Sequence, residues 1–134
     1  MSLRYLLDTN ICIYIRGKQP KVVAHFEKLE RGDVGISIIT YGELAYGVAR
    51  SAHPERAVAG LYQLTSLLPV LPLPLEAGEK YGPLRASLEK QGKTIGSNDL
   101  WIAAHAIAAN LILVTNNERE FKRVPGLKFE NWAK

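Results

Sequence analysis

Arg4-Tyr5-Leu6-Leu7-Asp8-Thr9-Asn10 runs a short apolar segment straight into an aspartate and a turn-forming pair. Such a run reads as a buried strand closed by a turn. In open parallel α/β sheets, ligands bind in the crevice just outside the carboxyl ends of the strands, and this spacing puts Asp8 at that address. An ionised carboxylate is too costly to bury alone. It needs a helix N-terminus, a basic side chain or a metal, and capping a helix that begins near Asn10 is the plainest of these roles.

Working outward, residues 11–16 read as a short helix ended by Gly17, and Pro20 suits the first turn of a second helix running to about Leu29. Residues 34–38 are a second buried strand. Thr40 opens a helix carrying Glu43, Leu44, Gly47 and Val48, and Pro54 begins another with Val58, Leu61, Leu64 and Leu68 on its apolar stripe. Residues 70–73 form a third strand and 76–91 a helix stopped at Gly92. Ser97 or Asn98 caps a small-residue helix running through Ala109, and 111–115 is the clearest strand of all. Asn116-Asn117 is a turn, 118–122 a helical turn and 128–130 an edge strand. Strands alternating with helices imply α/β, with a mostly parallel central sheet and helices on both faces.

A chain of 134 residues with 47% apolar content is expected to form one domain, spanning 1–134. Neither a charged leader with a long apolar run nor a membrane-length apolar stretch is read, so a cytoplasmic protein is expected. The single cysteine, Cys12, lies among isoleucines and reads as a small core residue. The net charge of +4 is a mild basic excess that suits acidic partners. Arg85, Lys90 and Lys93 fall together, as do Arg119, Lys122 and Arg123. Either cluster is a solvated helix face or a phosphate contact.

Three acids share one context. Asp8 ends the first strand, Glu43 follows the second, and Asp99 sits in the first turn of the helix leading into 111–115. In a parallel sheet these places lie on one rim. Crowded carboxylates raise one another's pKa and persist as anions around a hard cation, where all-oxygen ligands favour Mg²⁺ or Mn²⁺. Two such ions activate a water and stabilise a leaving oxygen in phosphodiester hydrolysis. Each acid also has a local reading. Thr40-x-x-Glu43 matches the capping box, and Thr115-x-x-Glu118 and Asn117-x-x-Glu120 match caps. Asp99 complements a helix dipole. His105 reads as polar packing, and Trp101 as core or interface.

Leu7-Asp8-Thr9-Asn10-Ile11, Ser37-x-x-Thr40-x-x-Glu43-Leu44-x-x-Gly47, Gly96-Ser97-Asn98-Asp99-Leu100-Trp101-Ile102-Ala103-Ala104 and Leu113-Val114-Thr115-Asn116-Asn117-x-x-x-Phe121 occur in order across essentially the whole chain. In these four motifs the chain resembles the PIN-domain ribonuclease toxins of the VapC type, from bacterial VapBC toxin–antitoxin modules. The resemblance implies a PIN-like three-layer sandwich. It also implies a Mg²⁺-dependent endoribonuclease, with Mn²⁺ able to substitute, that cuts structured RNA such as tRNA and arrests translation. It carries over Asp8, Glu43 and Asp99 as the catalytic, metal-holding acids. Beside them Thr9, Asn10, Thr40, Ser97 and Thr115 are read as polar support, and Arg85, Lys93 and Arg119, from the basic clusters, as contacts to the RNA backbone. A homodimer is implied, with a VapB-type antitoxin whose C-terminal segment blocks the site, often with an arginine, and whose other end binds promoter DNA. No membrane role is implied.

Many relatives place a fourth acid where this chain has Asn117, which adds no negative charge. Glu120 or Glu118 is then the compensating acid, and a weaker second metal is expected. Three rivals share parts of the pattern. A haloacid-dehalogenase-type phosphatase wants an aspartate where Asn10 stands. A non-catalytic PIN-like module binding RNA or protein would begin by losing one acid. A DNA nuclease of the same fold differs in lacking recognition of the 2′-hydroxyl.

Overall fold

The computed structural model describes residues 3–134. The opening strand is β1 (Tyr5–Leu7), and it runs without a loop into α1 (Thr9–Arg16). Then come α2 (Pro20–Glu27), β2 (Val34–Ser37), α3 (Ile38–Ala49), α4 (Pro54–Leu67), β3 (Val70–Leu71) and α5 (Leu75–Lys90). The chain ends with α6 (Ser97–Ala108), β4 (Ile112–Val114), α7 (Glu118–Phe121) and β5 (Phe129–Glu130). The sheet order is β3-β2-β1-β4-β5, and every pairing is parallel, so the expected mostly parallel sheet is parallel throughout. β1 lies at the centre, with Tyr5 opposite both Val34 and Ile112. Chain direction across the sheet reverses between β1 and β4, the switch point where such sheets open a crevice.

Strand alternation builds the two outer layers. Leu7 packs with Ile11, Val22, Leu44, Leu61 and Leu64, covering one face with α1, α2 and α4. Leu6, its neighbour, packs with Leu88, Leu100, Ile102, Ala103 and Phe121, covering the other with α5, α6 and α7. Cys12 is fully buried in the first cluster, and burial pushes its thiol well up, as expected of a core cysteine. The chain closes on Trp132, which is 2% exposed. Its ring meets Tyr5 edge-on and stacks on His25, each at 5.4 Å between centroids. Among the described residues no helix is long and apolar enough to cross a membrane.

Two expected helix starts differ. α3 begins at Ile38, directly after β2, because the β2–β3 ladder ends at Ser37 and Ser37 Oγ accepts the Ile39 N–H at 3.1 Å. Thr40 therefore lies inside the helix and makes no capping box with Glu43. α6 begins at Ser97, with Gly96 as its cap residue and no side-chain cap bond, which leaves Ser97 and Asn98 inside the first turn. α6 is turned into β4 by Asn110 at φ +55°, a left-handed conformation that asparagine tolerates.

Candidate active site

Asp8 stands at the carboxyl end of β1 and caps α1, so its capping role and its position on the rim coincide. Only 4% of it is exposed. One carboxylate oxygen accepts the Thr9 N–H at 2.8 Å. The other accepts the Thr115 hydroxyl at 2.7 Å and the Asn10 amide at 3.4 Å. Burial raises its pKa, and the Glu43 and Glu120 charges push the same way against the Thr115 and Thr9 bonds.

Glu43 reaches the rim from the second turn of α3. It accepts the Thr9 hydroxyl at 2.5 Å and, on its other oxygen, the Asn98 amide at 3.4 Å. Asp99 comes from the first turn of α6. Its pKa is pushed up to about 7, first by burial, then by the charges of Asp8 and Glu120 and by a hydrogen bond with Glu120. Glu120 arrives from α7. Its oxygens accept the Gly96 N–H at 2.8 Å and the Asn117 amide at 2.7 Å. Burial pushes Glu120 up, but these bonds, its bond to Asp99 and the Arg123 charge outweigh it and hold its pKa low.

Asp8, Glu43, Asp99 and Glu120 thus share one electrostatic neighbourhood. None takes part in an ion pair among the described residues, where the pairs are Arg4–Asp33, Arg85–Glu89 and Lys134–Glu118. The carboxylates repel one another, only the Arg123 charge acting on Glu120 offsets them, and every ligand atom they offer is oxygen. That chemistry fits a hard divalent cation. As they stand, no three His, Cys, Asp or Glu side chains among the described residues are at caging distance. The carboxylates are held on hydroxyls, amides and backbone N–H groups instead.

The expected supporting residues divide. Thr9, Asn10 and Thr115 touch Asp8 or Glu43 directly. Thr40 is buried with a hydroxyl that has no partner among the described residues, because Ser37 has already taken the cap. Ser97 lines a shallow cavity with Arg85, Thr94 and Leu100. Asn117 is not itself a capping side chain, since its amide donates to Glu120. Glu118 turns away to Asn131 and Lys134, so Glu120 is the acid beside Asp99. Arg85 is exposed and bonded to Tyr81 and Glu89. Lys93 and Arg119 are exposed. His105 is buried, pairs with Ser37 Oγ at 2.9 Å and has its pKa lowered by burial, which is the polar packing role expected of it. Trp101 is half-buried and stacks on Tyr81 at 3.8 Å.

Sequence reasoning assigned no role to the Gly96 N–H and read Arg123 only as part of a basic cluster on a solvated face or at a phosphate; its guanidinium donates to the Thr94 carbonyl at 2.9 Å and steadies the loop before α6. The Gly96-Ser97-Asn98-Asp99 motif marked the place but not the function of its backbone.

The family model described as PIN domain matches residues 5–127. The chain is 44% identical over 132 residues to Ribonuclease VapC2 of Haemophilus influenzae, covering 98% of this chain and 99% of that protein. It is 42% identical over 131 residues to the tRNA(fMet)-specific endonuclease VapC of Shigella flexneri, covering 98% and 99%. Among solved structures it is similar to a chain in the crystal structure of VapBC2 from Rickettsia felis bound to a DNA fragment from their promoter. There the TM-score is 0.91 at 43% identity, over 97% of this chain and 99% of that one.

Proposed function

This chain belongs to the PIN-domain family, among its VapC ribonucleases, and from that premise we propose that Asp8, Glu43, Asp99 and Glu120 hold Mg²⁺ and hydrolyse phosphodiester bonds in tRNA. The protein is the ribonuclease toxin of a VapBC-type module. The observation that carries the site assignment is the group of four carboxylates at one rim with no ion-pair partner among the described residues.

A bound divalent ion would supply an activated water and charge stabilisation for the leaving oxygen. The chain's own residues do the rest. Thr115 and the Thr9 N–H fix the two oxygens of Asp8. Thr9 and Asn98 orient Glu43. Gly96 and Asn117 hold Glu120 against Asp99. Glu120 takes the place of the acid that Asn117 lacks, and Asn117 becomes its orienting group. Arg85, Lys93 and Arg119 supply positive charge around the rim for the RNA backbone.

The same clustered negative charge, in no ion pair among the described residues, suits inhibition by a VapB-type antitoxin that places an arginine among the carboxylates. Through that antitoxin, the complex would reach promoter DNA. The protein would act in the cytoplasm as a homodimer. Ile38, Gly42 and Tyr46 recur every four residues on an open side of α3, where a Cβ at Gly42 would meet nothing within 4 Å, and they are the candidate contact face.

The test is cleavage of total cellular RNA by purified, antitoxin-free protein with Mg²⁺, with EDTA, and with Asp8→Asn and Asp99→Asn variants. Discrete fragments that require metal and vanish in both variants support the reading, and their mapped ends identify the RNA. Identical patterns from wild type and variants sink it.

A further inference from the structure

The segment after β5 is docked independently of the site, because Trp132 is buried between Tyr5 and His25. Beside it, Asn131 Oδ1 accepts the Ala133 N–H at 2.9 Å. A backbone N–H can only donate, so the Asn131 amide nitrogen must face the other way. It donates to Asn116 Oδ1 and to Glu118 Oε2, each at 2.9 Å. Asn116 therefore turns its own amide nitrogen to the Tyr14 hydroxyl, at 3.0 Å. Its backbone N–H donates to Asn10 Oδ1 at 3.2 Å, which leaves the Asn10 amide nitrogen facing Asp8. The chain of amides has a single polarity, set by the Ala133 and Asn116 backbone N–H groups. The loop it holds, residues 115–117, also carries Thr115, which donates to Asp8, and Asn117, which donates to Glu120.

We infer that Asn131 is a positioning residue of the carboxylate site, acting through Asn116 on Asp8 and Glu120. The inference rests on the metal-nuclease reading. The tail is the fixed partner, anchored by Trp132, and the 115–117 loop is the part whose place depends on it. Loss of the Asn131 donor frees Asn116 Oδ1, leaves Glu118 held by Lys134 alone, and lets the loop shift both carboxylates it orients.

The test compares Asn131→Ala, Asn116→Ala and the double variant, with Asn131→Asp and Lys134→Ala alongside. Cleavage of unfractionated tRNA with Mg²⁺ gives kcat and KM, Mn²⁺ titration calorimetry gives metal affinity, and melting reports the fold. Asn131→Ala is expected to lower kcat and weaken Mn²⁺ binding by about tenfold, the lower end for residues that orient metal ligands. KM should stay within about twofold of wild type, because no RNA contact is removed. Asn131→Asp, which faces Glu118 and Asn116 Oδ1 with a carboxylate, should lose at least as much. Lys134→Ala removes only the Glu118 ion pair and should keep wild-type kcat. The double variant should be no worse than Asn116→Ala alone, the signature of one shared path. Wild-type kcat and Mn²⁺ affinity in Asn131→Ala, with only a lower melting temperature, would overturn the inference, as would effects that multiply in the double variant. If wild-type protein cuts no RNA, the nuclease reading fails instead, and the Mn²⁺ titration still decides whether Asn131 acts on the carboxylates.

Discussion

Asp99→Asn should stabilise the metal-free protein at alkaline pH while abolishing cleavage. Asp99 has a pKa of about 7 against an ordinary value of 3.8. The folded state thus binds a proton more tightly than the unfolded chain. The contribution of Asp99 to stability is fully present below about pH 4, is lost as pH rises, and is gone above about pH 7. Three pH units at about 1.4 kcal/mol each set a ceiling of about 4 kcal/mol on that loss. Asp99 shares its proton with Glu120 and is only partly buried, so about 2 kcal/mol is the working figure. The side-chain amide of the variant would donate to Glu120 as the protonated acid does, without the charge. Melting in EDTA should therefore place Asp99→Asn about 6 °C above wild type near pH 8. The gap should close as the pH falls toward 4. Added Mg²⁺ should raise the wild type at pH 8 and leave the variant unmoved, because binding stabilises only the state that binds. A variant no more stable than wild type at pH 8, or a gap that widens on acidification, would refute the claim that crowded carboxylates destabilise the metal-free fold.

Thr115→Val keeps shape but removes the donor to Asp8 and the acceptor of the Asn117 N–H. Calorimetry should show a loss of about 1–3 kcal/mol, and cleavage should fall about 10- to 100-fold. Glu120→Gln should reduce Mg²⁺-dependent cleavage more than Asn117→Ala, since Asn117 acts on Glu120; the reverse order, or Asn117→Ala at the wild-type rate, would remove Asn117 from the site. Trp132→Ala deletes a ring packed against Tyr5 and His25 and should cost about 3–5 kcal/mol in denaturant melts, whereas a loss under about 1 kcal/mol would mean that the tail is not anchored.

The order of elements was legible because each leaves a local mark. Leu6-Leu7 before Asp8, Pro20 and Pro54 at helix starts, and the apolar 111–115 run all carry a short period or a turn signal. Helix starts that depend on competition between neighbours were less legible. Ser37 and Thr40 are both good caps, and the choice fell to Ser37 only because the β2–β3 ladder ends there.

By itself, then, the sequence pointed to a mostly parallel α/β sheet, through its four motifs to a resemblance to PIN domains, and to Asp8, Glu43 and Asp99 as acids expected on one rim. Strand ends and helix starts are near-neighbour properties, and in a parallel sheet they share an edge. Only the tertiary structure decided between Glu118 and Glu120, turning one toward Lys134 and the other toward Asp99. It alone joined Gly96 to Glu120, and Asn131 through Asn116 to Asn10. Those hydrogen bonds span many residues and follow no period, so they exist only once packing has brought their partners within about 3 Å.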